Sequence, residues 1–262
     1  RLADIQAVSN SILNTCKAEN LIKPHLYVEH APLIEAITSI AIDKKSTCII
    51  MATNGVDTIK DLLIGTKTSN ILGATRLPTL VIPTDYLDNI KAEELPGIRR
   101  IFYCFSTEYV DYSSLAEAIA FAECIGAKLF CITVKESEHY RYNETFEEIS
   151  KFVDKKSANW ESKVFLSKDE KHGNEIIVDM TPECLLFKKE AYENILECIC
   201  RRSEQYKVNL LIMVKRSNKG LNRLFQSSKT KDISNYVQVP ILVFHFQEST
   251  LKKKKSFKEE KL

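Results

Sequence analysis

Nothing in the sequence approaches the roughly 20 consecutive apolar residues that a helix needs to cross a bilayer, and its first residues lack the layout of a secretory leader. Metal ligands are equally scarce. Cys198 and Cys200 are two apart in a helical pattern, which turns them to different faces, and no second pair stands at ligand spacing. The five histidines, at 25, 30, 139, 172 and 245, form no Ser/His/Asp or Cys/His grouping, so no nucleophile can be named. The sequence contains neither G-x-x-x-x-G-K-[ST] nor G-x-G-x-x-G, which removes P-loop motors and dinucleotide dehydrogenases. A net charge of +2 gives no long-range pull toward nucleic acid or anionic membrane. The lysines at 252–255 are diluted by Glu259 and Glu260, so 248–262 reads as a solvated tail.

What is present is ordinary for a globular chain, with 44% apolar and 27% charged residues in 262. Most of the eight cysteines lie in apolar runs such as Leu129-Phe130-Cys131-Ile132, where a free thiol behaves as a small hydrophobe. That usage points to a reducing compartment, and the cytoplasm is the expected location.

The chain also describes half of itself twice, at a fixed offset of 162 residues. Ile50 and Met51 return as Ile212 and Met213, Leu62 as Leu224, Lys67 and Thr68 as Lys229 and Thr230, Ile71 as Ile233, and Pro78, Leu80 and Val81 as Pro240, Leu242 and Val243. A repeat of that length means two copies of one α/β unit rather than a solenoid of small elements.

Periodicity predicts the elements. Helices are expected at 2–16, at 32–43 with Ile34, Ile37, Ile40 and Ala41 on one face, and at 192–203 with Ile195, Leu196 and Ile199 inward. A capping box, Ser114-Leu-Ala-Glu117, opens a helix that Gly126 ends, and Asn143 caps another with Phe146, Ile149 and Val153 on one face. Runs without polar alternation, at 48–53, 79–82, 101–105, 128–134, 209–214 and 239–244, read as strands covered on both sides. Residues 25–28 read as a short extended piece, 163–167 and 175–180 as a hairpin around His172-Gly173-Asn174, and Trp160 as a packing residue. Alternating strands and helices predict open parallel sheets of the flavodoxin-like, Rossmann type. Nothing before Arg1 answers to 101–134, so the first copy is expected to be incomplete at its amino end.

Any chemistry is expected just after the strand 48–53. There Gly55 stands in the loop, and Gly65-Thr66 follows after nine intervening residues, leading into a helix at 69–73. In an open parallel sheet ligands sit beyond the carboxyl ends of the strands. Glycine lets backbone N–H groups approach phosphate oxygens, and a helix start adds unpaired donors with about half a positive charge behind them. The hydroxyls of Thr66 and Thr68 add further donors. The result is a phosphate cradle without a lysine.

These residues resemble the universal stress protein family, whose nucleotide-binding members carry G-x2-G-x9-G-[ST] after the fourth strand and a last strand like Leu77-Pro78-Thr79-Leu80-Val81-Ile82. The resemblance extends over both copies and is similar to tandem two-repeat members from Bacteroidetes-type bacteria. It implies two adenine-nucleotide alpha hydrolase-like domains, at 1–92 and 93–247, the second with an insertion near 140–189. It also implies a stress-response binding protein rather than an enzyme, with ATP (accompanied by Mg²⁺) or AMP held by Ala52, Asn54, Gly55, Gly65, Thr66 and Thr68. In the second copy the equivalents are Val214, Ser217, Ser227 and Ser228, and 104–107 offers no carboxylate, so that copy is expected to keep the scaffold and lose the site. The last strands of the two copies are expected to pair as an intramolecular pseudo-dimer, and a homodimer of whole chains stays open. Two other readings stay open as well, a ligand-free interaction scaffold and a slow nucleotide hydrolase.

Overall fold

The structure is a computed structural model. It describes residues 10, 11, 14, 24–53, 66–83, 86, 98–106, 110–135, 141–158, 160, 165–168, 175–178, 180–215 and 239–245. Most of the expected helix 2–16 and the whole tail 248–262 lie outside them.

In chain order the elements are α1 (Leu33–Asp43), β1 (Ile49–Thr53), α2 (Thr66–Ala74), β2 (Thr79–Pro83), β3 (Arg100–Cys104), α3 (Tyr112–Ile125), β4 (Lys128–Lys135), α4 (Arg141–Ser157), β5 (Phe165–Lys168), β6 (Glu175–Val178), β7 (Glu183–Lys188), α5 (Ile195–Gln205), β8 (Leu210–Lys215) and β9 (Ile241–His245). Seven strands form one sheet in the order β1-β2-β9-β8-β3-β4-β7, and β5 and β6 form a separate antiparallel pair where the hairpin was expected. Every neighbour in the large sheet is parallel except β2 and β9. This is an open, mostly parallel α/β sheet, and its strands read as they should: β4 is buried from Lys128 to Val134 because helices cover both its faces.

Two apolar layers hold it together. On one face Phe102, Phe130, Leu211, Met213, Ile241 and Val243 pack against Leu196 and Ile199 of α5 and Leu72 of α2. On the other Ile101, Tyr103, Leu129, Ile212, Leu242 and Phe244 pack under Leu115, Ala118, Ile119 and Ala122 of α3 and Ile149 and Val153 of α4. Trp160 lays its ring against this second layer.

Local chemistry moves several expected boundaries. α3 opens at Tyr112 with Asp111 as its cap, not at the Ser114 box: the Asp111 carboxylate accepts from the N–H groups of Ser113 (3.1 Å) and Ser114 (3.4 Å), and Ser114 Oγ donates to it at 2.7 Å. With its hydroxyl committed there, Ser114 lies buried inside the first turn. Gly126 does end α3, at φ 65° and ψ 44°, a left-handed conformation that costs glycine nothing. α5 begins after Asn194, whose side chain and Glu197 close a reciprocal capping box, and Tyr192 is left 90% exposed outside the helix. α4 begins two residues before Asn143. Residues 25–28 form no strand, and Leu26, Tyr27 and Val28 are exposed. β7, whose Cys184-Leu185-Leu186-Phe187 run follows Pro182, has no counterpart among the expected strands.

The 162-residue echo has a backbone counterpart. α1 and α5 begin and end at that separation, as do β2 and β9. The left-handed residues just past the two helices are Lys45 (φ 51°) and Lys207 (φ 52°), again 162 apart. Ser46 N donates to Ala41 O and Val208 N to Ser203 O at 2.8 Å, while Ile49 N donates to Pro78 O and Leu211 N to Pro240 O at 2.9 Å. The antiparallel pair β2–β9 matches Thr79 with Val243, Leu80 with Leu242 and Val81 with Ile241, so its register is symmetric about Leu80 and Leu242, themselves 162 apart.

One equivalence breaks. Ile212 is 0% exposed and Ile50 is 66% exposed, although each faces an equivalent leucine across the same parallel register. β8 has β3 on its far side and α3 above it, and no described element does the same for β1.

Candidate functional site

β1 carries Ala52 to the carboxyl end of the sheet, where it pairs with Ile82 and is exposed. Asn54, Gly55 and Gly65 lie outside the described residues. α2 starts at Thr66, three residues ahead of the helix expected at 69–73, so the backbones of Thr66 and Thr68 belong to its first turn rather than to a loop. The structure thus sets Ala52 at the end of a parallel strand and Thr66 at the start of the following helix, with the two glycines in the stretch between.

The end of β8, 162 residues further on, is filled differently. Val214 is half-buried in place of the exposed Ala52, and Ser217, Ser227 and Ser228 lie outside the described residues. The residue after Val214 is Lys215, which the sequence reading passed over. It is 7% exposed, and its Nζ donates to the carbonyl oxygen of Leu72 at 2.5 Å. Leu72 is in the last turn of α2, where carbonyls lack helical partners and a cation is welcome. Lys215 therefore ties β8 to α2 across 143 residues of sequence. Burial lowers its pKa.

His245 stands opposite Lys215 in the β8–β9 register. Burial, then the charges of Lys215 and Arg76, push its pKa down to about 4, and its Nε2 is buried without a hydrogen-bond partner among the described residues. It is a neutral imidazole at neutral pH. Its folded pKa lies below the ordinary 6.5, so the folded chain binds fewer protons than the unfolded one between about 4 and 6.5. The stability this neutrality protects is present above pH 6.5 and is lost as pH falls toward 4. Denaturant titrations across that window should show the gap between native protein and His245→Gln shifting in the variant's favour as the solution is acidified.

The described carboxylate that follows β3 is Asp111, buried at 4% exposure and committed to capping α3, with Tyr103 Oη donating to its backbone oxygen at 3.4 Å. Among the described residues no three His, Cys, Asp or Glu side chains converge as a metal site would require, and no helix is long and apolar enough to cross a membrane.

No protein-family model matches the sequence, and no curated protein matches it. Solved structures do. A universal stress protein from Archaeoglobus fulgidus superposes with a TM-score of 0.56 at 14% identity, over 94% of this chain and 77% of its own. The fold is that of the universal stress proteins. A putative universal stress protein from Pseudomonas aeruginosa matches at 0.54 and 14%, over 96% of this chain and 82% of its own. A functionally unknown protein from the same species matches at 0.54 and 14%, over 97% and 83%.

Proposed function

We propose that this chain is a tandem universal stress protein of the cytoplasm that works by binding, taking ATP with Mg²⁺, or AMP, in its first copy and keeping its second as scaffold. The observation that carries the reading is one of position. Gly55, nine residues, Gly65 and Thr66 occupy the stretch between the carboxyl end of β1 and the first residue of α2, in a universal stress protein fold. Ala52 and Asn54 flank the approach, Gly55 and Gly65 admit a phosphate close to the backbone, and the first-turn N–H groups of Thr66 and Thr68 supply donors and a positive helix end. Ala52 is exposed, so the strand end itself leaves that approach open.

The tandem reading rests on the paired element boundaries and on the symmetric β2–β9 register, which joins the copies as single-domain partners would join in a dimer. This pairing also removes two strand edges that would otherwise invite aggregation. The second copy has lost the site's chemistry: serines replace its glycines, Val214 crowds the strand end, and Lys215 is turned to the Leu72 carbonyl. Binding would act by favouring one of two conformations or partner states.

A ligand-free interaction scaffold is the second reading, favoured by Ala52 in place of the family's leading glycine. Calorimetric titration separates the two. ATP or AMP should give saturable heat, and Gly65→Val, which sets a β-branched side chain against the phosphate path, should weaken binding more than about tenfold, ~1.4 kcal/mol.

A further inference from the structure

Cys131 of β4 and Cys184 of β7 are directly opposed in a parallel strand pair. Both belong to the same face of the sheet: Cys131 is 0% exposed inside the layer under α3 and α4, and Cys184 packs partly exposed against that layer. Neighbouring strands run about 4.7–4.9 Å apart, within the ~4.4–6.8 Å that a disulfide accepts between Cα atoms. The Cβ atoms of such a pair lie slightly beyond the ~3.5–4.5 Å preferred for the bond, so closure needs a small inward shift of one strand. β7 can make it, because β4 is its only neighbour in the sheet among the described residues.

The surroundings distinguish this pair from the other thiols. The Cys131 thiol opposite it holds the Cys184 thiol below its ordinary pKa; burial is the larger opposing effect, and Ser150 lowers it and Asp154 raises it to a lesser degree. The same contact pushes Cys131 up, and burial adds to it. Burial pushes Cys104 to about 12 and Cys198 to about 11, and drives Cys200 higher still, which leaves those thiols protonated and unreactive.

We propose that Cys184 and Cys131 form a peroxide-responsive pair, with Cys184 as the attacking thiol and Cys131 as the resolving one. The Cys184 thiolate attacks a hydroperoxide, an S–O bond forms as the O–O bond breaks, and the alkoxide or hydroxide that leaves with the electron pair takes up the proton Cys184 released, giving alcohol or water. Cys131 sulfur then displaces the hydroxyl, the S–S bond forms, and the Cys131 proton departs with that hydroxyl as water. Two thiols and one hydroperoxide thus give one disulfide, one alcohol (or water) and one water. The bond fastens the edge strand β7 to β4, on the opposite flank of the sheet from β1, and does not depend on nucleotide binding.

The full chain treated with hydrogen peroxide, alkylated and mapped by peptide mass spectrometry tests this. The expected result is a Cys131–Cys184 cross-link that dithiothreitol reverses, with Cys104 and Cys200 still free. In Cys131→Ser, dimedone should label Cys184 as a sulfenic acid. Recovery of Cys131 and Cys184 as free thiols after peroxide, with oxidation confined to the exposed Cys48 or Cys124, would overturn the proposal. So would a folded Cys131→Ser protein without the dimedone adduct.

Discussion

Truncating Ile212 to alanine should cost about 3–4 kcal/mol, whereas the same change at Ile50 should cost under ~0.5 kcal/mol. The two residues are 162 apart, are chemically identical, and face Leu242 and Leu80 across matching registers. What differs is cover. Ile212 is 0% exposed, with Tyr103 beside it in β3 and α3 overhead, so losing its three carbons leaves a cavity that a close-packed layer fills poorly. Ile50 is 66% exposed and already keeps most of its surface in water. Urea unfolding monitored by circular dichroism would report this as a lowered midpoint with unchanged slope for Ile212→Ala and an unshifted one for Ile50→Ala. Equal losses at both positions would mean that Ile50 is covered in solution.

A loss of similar size is expected on the opposite face. Phe102 is fully buried, and its ring lies 5.8 Å from Phe130 edge-on, 6.1 Å from Phe187 and 5.6 Å from Tyr206. Phe102→Ala should remove about 3–5 kcal/mol, part of it from edge-to-face contacts worth ~0.5–1.5 kcal/mol each beyond burial. Against the 5–15 kcal/mol that typically separates folded from unfolded domains, about a fifth or more of the margin disappears. Phe102→Leu, which keeps most of the volume, should cost less than half as much. Calorimetric melting of the three proteins orders them, and a Phe102→Ala protein that melts like the native one would show that the four rings do not share one core.

Much of the fold was legible in the sequence because buried parallel strands announce themselves. The runs at 48–53, 128–134 and 209–214 needed no tertiary information, and the 162-residue offset matched Pro78, Leu80 and Val81 with Pro240, Leu242 and Val243, while the helix expected at 192–203 stood two residues out of step with its counterpart at 32–43. β7 was missed because its apolar run is short and its burial incomplete, as befits an edge strand. The start of α3 was misplaced because two acceptors compete there: the Ser114-Glu117 spacing is a sound cap signal, but Asp111 is the stronger acceptor and takes the N–H groups first.

Of the candidate site, spacing singled out Gly55 and Gly65-Thr66, since a phosphate loop needs small residues at fixed intervals from a strand end, and of these the described residues include Thr66 alone, as the first residue of α2. The roles of Lys215 and His245 were hidden, because a lysine after an apolar run ordinarily marks the exposed end of a strand. Only the packing of α2 against β8 and β9 reveals that Lys215 is 7% exposed and bonded to Leu72, and that His245 is neutral beside it.

Titration of the full chain with ATP and Mg²⁺ tests the central claim most directly. One nucleotide per chain, bound saturably and lost in Gly65→Val but kept in Ser227→Ala, is the result expected of a first copy that binds and a second that supports. Silence at millimolar nucleotide, or binding indifferent to Gly65→Val, would contradict it.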